Sequence, residues 1–272
     1  MTLSAILSRE SHTGTESSMP ALVRQSLLQT QRLLIRWVRS PLTLLETLII
    51  PCLLLIMLDT VIGGQIATFT GESALSGSVP MVTLVAALSG AVASGVLLGR
   101  ERDAGLLARF WVLPVHRASG LISRVLAEGC RIVVGTFAVV SVGYLLGFRF
   151  QQGLAATTTF LLIPLLVGLA FATVVTAVAV FTAKATLVEA TMIVTSLMMF
   201  FSTGFVPLAA FPGWLHPIVG NQPMSVGVEA MRALAVGGPL ARPLQLATAW
   251  SLGAIVVFAV PATIGYRRAS RR

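Results

Sequence analysis

Long apolar runs alternate with short polar segments along most of this chain, a pattern that predicts membrane-spanning helices. Six runs of about 17 to 27 residues contain few charged side chains. An α-helix of that length crosses roughly 30 Å of hydrocarbon. We therefore expect an all-α integral membrane protein with six transmembrane helices. The predicted spans are about 44–63, 79–99, 125–148, 157–183, 190–206 and 244–266.

A segment before the first span, residues 21–40, has a different period. Its polar positions recur at steps of three and four opposite apolar ones, which predicts an amphipathic helix lying in the membrane interface. Trp37 suits the aromatic belt at that depth. Residues 1–20 are polar and lack the apolar core of a secretory signal, so we expect a disordered cytoplasmic tail. The polar positions of the helix are Gln25, Gln29, Arg32, Arg36 and Arg39.

A charged segment separates the second span from the third and reads RERDAGLLARFWVLPVHRASGLISR, residues 100–124. Apolar residues recur within it at helical spacing until Pro114 stops the pattern. We expect a short amphipathic helix at 101–113 that docks to another protein.

The stretch 207–242 is apolar but is interrupted by proline and glycine, so it cannot form one spanning helix. Two short helical pieces are expected, the second from about Pro223 to Val236 with Gly237 as its stop. Pieces this short predict an external re-entrant hairpin before the last span.

Composition and charge support a membrane protein and orient it. The chain is 56% hydrophobic and 11% charged, with a mean hydropathy of +0.89. Fifteen of its 19 Lys and Arg residues fall on proposed inner segments and three on outer ones, while Arg131 lies in a span. Both termini are therefore expected in the cytoplasm of a multi-pass protein of the cell (inner or plasma) membrane. Because basic residues mark the cytoplasmic side of a membrane protein, the net charge of +9 does not indicate a nucleic-acid partner. Cys52 and Cys130 are expected to be buried thiols.

No catalytic, cofactor or metal site is expected in this chain. The phosphate-binding pattern GxxxxGK[ST] is missing, and so are HExxH, GxSxG and CxxC. Charged residues in or near spans remain functional candidates. For Glu128 and Arg131 the first interpretation is a structural ion pair, and the alternative is a mechanical link to the cytoplasmic helix. Asp59 stays ambiguous.

Aromatic residues cluster around the end of the fifth span. Ordinary packing and interface anchoring is the first interpretation, and lining a lipid-wide transport path is the alternative. The members of this group are Phe200, Phe201, Phe205, Phe211 and Trp214.

Two stretches together resemble one family. The segment 100–124 is similar to the cytoplasmic loop of ABC-2 type exporter permeases, where an acidic residue, a glycine, an arginine and a late proline precede the third span. FFSTGFVPLAAFPGWLHPIVGNQPMSVGVEAMRAL resembles the family's pattern after the fifth span. Within that family, the sequences of these two stretches are most similar to those of daunorubicin-resistance type permeases of actinobacteria, which include exporters of complex envelope lipids in mycobacteria. The four loop positions are Glu101, Gly105, Arg109 and Pro114.

The resemblance implies an assembly that composition could not predict. Two permease chains, copies or homologues, would form the membrane dimer, and two ABC ATP-binding subunits carrying ATP and Mg would dock below. Substrate would pass between the permeases near the first, second and fifth spans. The implied ATPase-coupling residues are Arg32, Arg36, Glu101, Gly105, Leu106, Arg109 and Pro114. The candidate residues of the path or gate are Asp59, Phe200, Phe201, Phe205 and Trp214.

Three functions stay open on the sequence. The leading hypothesis is a permease subunit that moves a large hydrophobic molecule, above all a complex cell-envelope lipid, from the inner leaflet outward. The second is an exporter of amphipathic drugs that confers antibiotic resistance. The third is a membrane scaffold that positions lipid-synthesis enzymes without transporting anything.

Overall fold

The computed structural model describes residues 19–70, 73–103, 119–181, 184–204 and 206–271, and all regular structure in these ranges is helical. This confirms the all-α prediction for the described part of the chain. A π-helical turn, Leu45–Ile49, joins α2 to α3, and two 3-10 turns, Leu208–Ala210 and Gly213–Leu215, precede α8. The helices are α1 (Met19–Val38), α2 (Pro41–Leu44), α3 (Ile50–Thr70), α4 (Leu75–Asp103), α5 (Ser119–Leu146), α6 (Leu154–Phe181), α7 (Lys184–Phe200), α8 (His216–Asn221), α9 (Pro223–Val236) and α10 (Ala241–Arg271).

Five helical segments are long and apolar enough to cross a membrane, which makes this a multi-pass membrane protein. They extend several residues past most of the predicted bounds because helices continue into polar flanks that hydropathy does not mark. The run predicted at 190–206 corresponds to α7, which has 17 residues and ends at Phe200. A sixth crossing therefore stays a prediction. The five segments are Pro41–Thr68, Leu75–Arg102, Ser119–Leu146, Leu154–Phe181 and Ala241–Gly265.

The π-helical turn has a local cause. Pro51 lies two residues after it and has no N–H to donate to the preceding turn, while its ring would clash with the carbonyl four residues earlier. The widened turn before this proline accommodates both effects.

Helix α4 is the centre of the bundle and packs against α3, α5, α6, α7 and α9. Val79, Met81 and Leu84 of this helix are fully buried. Close approach depends on small residues: a Cβ added at Gly168 of α6 would meet Ala87 of α4 at 3.1 Å. Movement of α4 must therefore displace most of the other helices.

The segment after α7 contains one well-buried helix. Pro223 occupies the first turn of α9, and the helix ends at Gly237, whose φ of +102° favours glycine. Ten of the 14 residues of α9 are buried. It packs against α4, α6 and α10.

Two expectations need correction. Residues Glu101–Asp103, assigned to a separate coupling helix at 101–113, are the last residues of α4, because its hydrogen-bonded backbone continues through the charged flank. The remainder of that predicted helix lies outside the described residues, as does the N-terminal tail up to residue 18. Cys130 is exposed and Cys52 only partly buried, both as free thiols, since apolar surface can face lipid as well as a core.

Candidate functional site

The C-terminal end of α4 joins three helices through one carboxylate. Glu101 is 4% exposed. Its Oε1 accepts from Arg36 Nη1 of α1 at 3.2 Å, and its Oε2 pairs with Arg124 of α5. Two of the predicted coupling residues, Glu101 and Arg36, are thus brought together, and Arg124 is a partner that the sequence did not single out.

The two ion pairs of Glu101 differ in environment. The side chain of Arg124 is 17% exposed, whereas that of Arg36 is 51% exposed. Water and salt screen a half-exposed pair, so Arg36 contributes less than Arg124. Arg124 is therefore the main counter-charge that allows Glu101 to be buried.

The neighbouring Arg102 ties α4 to the end of another helix. Its Nη1 donates to the carbonyl oxygens of Ala179 at 3.2 Å and Val180 at 3.0 Å, in the last turn of α6. Carbonyls in a final turn lack partners within their own helix, and a cation is favoured there. The sequence holds no signal for this contact beyond the arginine itself.

Hydrogen bonds also fasten α1 along the start of α5. Gln29 Nε2 donates to Ser119 Oγ at 3.2 Å, and Ser123 Oγ donates to Gln29 Oε1 at 3.3 Å. Thr30 Oγ1 donates mainly to the Ser26 carbonyl of its own helix at 2.7 Å and also approaches the carbonyl of Ser123 at 3.3 Å. The amphipathic α1 is therefore attached to the bundle by its polar side chains.

A second charged cluster lies further along the contact between α4 and α5. Glu128 and Arg131 form an ion pair with side chains only 3% and 10% exposed. Ser94 of α4 donates to Glu128 and accepts from Arg131, which also donates to the Gly90 carbonyl at 3.3 Å. The pair thus bridges two helices instead of stabilising α5 alone.

The two clusters share one helix face. Ser94 and Glu101 lie seven residues apart on α4, and so do Arg124 and Arg131 on α5, so each pair is two turns apart on one side. We call Ser94, Glu101, Arg124, Glu128 and Arg131 the charged seam. Its four charges sum to zero, which is how ionised groups are kept inside a membrane bundle.

The other predicted coupling residues are not placed together. Arg32 lies on the exposed surface of α1. Four of them, Gly105, Leu106, Arg109 and Pro114, fall outside the described residues, in the segment that begins two residues after Arg102.

The predicted path residues lie on different elements. Asp59 is partly buried on α3, while Phe200, Phe201 and Trp214 are 55%, 41% and 72% exposed. Phe205 lies outside the described residues. Helices α3 and α7 each pack against α4. These residues form no single pocket in the described part of the chain.

The side chain of Gln222 links the end of α7 to α9 by hydrogen bonds, which the sequence did not predict. Its Nε2 donates to the carbonyl oxygens of Met198, at 3.3 Å, and Phe201, and to Ser225 Oγ at 3.1 Å. The same Ser225 Oγ accepts from the backbone N–H of Thr203 at 3.3 Å. The only available signal was a glutamine at the residue before Pro223.

Known proteins match nearly the whole chain. The family model of the ABC-2 type transporter matches residues 24–236. The chain is 45% identical over 257 residues to the probable doxorubicin resistance ABC transporter permease protein DrrC of Mycobacterium tuberculosis, covering 94% of this chain and 93% of that protein. It is 29% identical to the daunorubicin resistance ABC transporter permease protein DrrB1 of Streptomyces coeruleorubidus, over 90% of this chain and 87% of the relative.

Proposed function

Because this chain belongs to the ABC-2 type transporter family, we propose that it is the transmembrane permease subunit of an ATP-driven exporter of amphipathic drugs. Similarity to drug-resistance permeases over 94% of the chain carries this proposal. The names of the relatives support drug export, which was the second hypothesis from the sequence. They do not mention a complex lipid, which was the substrate of the leading hypothesis.

The energy comes from a separate protein in this proposal. The chain has no GxxxxGK[ST] segment, and two ABC ATP-binding subunits carrying ATP and Mg supply the hydrolysis. They dock on residues 104–118 and on α1. Contact falls to Gly105, Leu106, Arg109 and Pro114 of the loop and to Arg32 and Arg36 of the helix.

The contacts at the end of α4 support a route for the movement. A push on the loop first displaces Glu101 and Arg102, because they directly precede it. Through Arg36, Arg124 and the carbonyls of α6, that displacement passes to α1, α5 and α6 together. The charged seam keeps α4 and α5 in register, so they move as one body.

The membrane arrangement is also part of the proposal. Six crossings, with α7 as the fifth, place both termini in the cytoplasm of a plasma-membrane protein, in line with the distribution of basic residues. The stretch 207–242 then enters and leaves the outer leaflet as a re-entrant hairpin, which the buried 14-residue α9 supports.

Substrate passes between two permeases, this chain and a copy or homologue, along α3, α4 and α7. Asp59, Phe200, Phe201, Phe205 and Trp214 are the candidate residues of the path or gate. The exposed rings of Phe200 and Trp214 offer an apolar surface to such a substrate or to the second permease.

Export by the whole complex tests this function. The chain is expressed with its ATP-binding subunit and second permease in a drug-sensitive host, and doxorubicin accumulation and envelope lipids are both measured. We expect lower doxorubicin accumulation and an unchanged lipid profile. A Gly105→Pro, Arg109→Ala double variant that inserts normally should lose this export because it no longer receives force from the ATPase.

The other outcomes discriminate the alternatives. Lipid moved to the outer leaflet without any change in drug accumulation would replace the drug substrate by a complex envelope lipid. If neither moves while the complex assembles and hydrolyses ATP, the scaffold interpretation replaces transport. Wild-type export by the double variant would contradict the coupling assignment.

A further inference from the structure

Asp59 is an acidic residue set deep in an apolar helix. It lies nine residues before Thr68, the end of the first spanning segment, which is about 14 Å along the helix axis at 1.5 Å per residue. Residues 41–70 include no lysine or arginine. Glu46, the other carboxylate of this segment, lies only five residues from Pro41 at the opposite end, where water reaches it.

The side-chain carboxylate of Asp59 makes no hydrogen bond or ion pair with any described residue. The three glutamates Glu101, Glu128 and Glu229 each pair with an arginine. An ionised group in a membrane span is costly unless a partner satisfies it. The chain, so far as the structure describes it, leaves this carboxylate available to a cation from outside.

The surroundings of the carboxylate fit a particular kind of cation. A Cβ added at Gly63, one turn further along α3, would lie 3.2 Å from Asp59 Oδ1, so the glycine leaves the space beside the carboxylate open. On the side of the helix that carries Asp59, Ile56 is 38% exposed, and Ile62 and Ile66 further along are partly exposed. One negative group beside an apolar surface complements a molecule with an apolar body and one positive group.

We propose that Asp59 is the substrate-recognition residue of the transport path and binds the protonated amine of an amphipathic organic cation. The apolar body of that cation lies against α3, and its ammonium group reaches the carboxylate beside Gly63. This inference rests on the proposed export function and narrows its substrate to cationic amphiphiles. A neutral lipid would gain nothing from this carboxylate.

Two probes that share one ring system and differ in the charge of one nitrogen test the assignment. Inside-out vesicles containing the whole complex are supplied with ATP and either doxorubicin, whose amine is protonated, or its neutral N-acetyl derivative. Uptake is measured for the wild type, Asp59→Asn, Asp59→Glu and the control Glu46→Gln, which removes a charge from the same helical segment. Insertion and the size of the assembled complex are measured for each.

We expect Asp59→Asn to lower uptake of doxorubicin about tenfold, the effect of losing one partly buried charge pair, while uptake of the neutral derivative is unchanged. Asp59→Glu should retain most of the preference, and Glu46→Gln should behave as the wild type.

Three results for Asp59→Asn would overturn the cation site alone. Equal loss of both probes in Asp59→Asn would mean a structural role, and a smaller complex would mean that Asp59 pairs with a cation of the second permease. Unchanged uptake of both probes would exclude recognition. A wild type that hydrolyses ATP but moves neither probe would instead overturn the export function, and the cation site with it.

Discussion

Glu101 and Arg124 form an ion pair across 23 residues of chain, and the pair closes the segment 104–118 at its base. Glu101 lies in the last turn of the helix before that segment, and Arg124 lies in the second turn of the helix after it. A force applied to the loop therefore reaches α4 and α5 at the same point. Without this pair the two helix ends could separate, and part of the movement would be lost within the loop.

Arg124→Gln should destabilise the protein more than Arg36→Gln. The first change leaves the buried Glu101 with only a half-exposed partner and should lower the free energy of unfolding by about 2–3 kcal/mol. The second should cost about 1 kcal/mol or less, because that pair is screened by water. Thermal unfolding in detergent measures both. Equal losses would contradict the ranking.

A double variant, Glu101→Gln with Arg124→Gln, separates the ion pair from the penalty of a lone charge. We expect it to be more stable than Arg124→Gln alone, since no unpaired carboxylate is left buried. Strictly additive losses would show that the two side chains do not interact.

Arg102→Ala should weaken transport without stopping ATP hydrolysis. The change removes the cation that binds the last carbonyls of α6, so movement of the end of α4 is passed less directly to the end of α6. We expect severalfold lower drug uptake per ATP hydrolysed. Arg100→Ala is the control, because Arg100 is exposed two residues away on the same helix. An equal drug uptake per ATP hydrolysed in both variants would refute a specific role for Arg102.

Gly90→Ala and Gly99→Ala form a matched pair on α4. A Cβ at Gly90 would lie 3.0 Å from Glu128 Oε1, whereas one at Gly99 meets nothing within 4 Å. Because Arg131 and Ser94 hold the Glu128 carboxylate, it cannot simply move away. We expect Gly90→Ala to cost about 1–2 kcal/mol and Gly99→Ala to be neutral or slightly stabilising, as alanine favours helix. Thermal unfolding distinguishes them, and equal effects would argue against tight packing at Gly90.

Labelling of single cysteines tests the orientation in the membrane. In a chain whose Cys52 and Cys130 are replaced by alanine, Ser73→Cys should react with an impermeant maleimide added outside intact cells. Ser270→Cys should react only after the membrane is opened, because the proposed topology puts the basic C-terminal residues in the cytoplasm. Removing Cys130 is essential, since that thiol is exposed. Labelling of both positions from one side would contradict the six-span topology.

Most helices of this protein could be predicted from local sequence. Apolar length marks the five spanning segments, and Gly237 ends α9 at the predicted residue because only a flexible backbone turns there. The spacing of Glu128 and Arg131 alone brings them to one side of α5. The bounds were less accurate, because hydrogen bonding along a helix does not stop where hydropathy falls, as Glu101–Asp103 demonstrate.

The sequence could not predict which charged side chains pair with one another, because this depends on the tertiary structure. Arg36 and Arg124 reach Glu101 from positions 65 and 23 residues away, and Arg102 binds carbonyls 77 and 78 residues further along the chain. Helical periodicity specifies which side of one helix a residue occupies, and spanning helices are apolar on all sides, so hydropathy does not reveal which sides meet. The sequence by itself determined the helices, their order and which of them carry charged residues. Packing around α4 decided which charges neutralise one another, and it left Asp59 without a partner in the described chain.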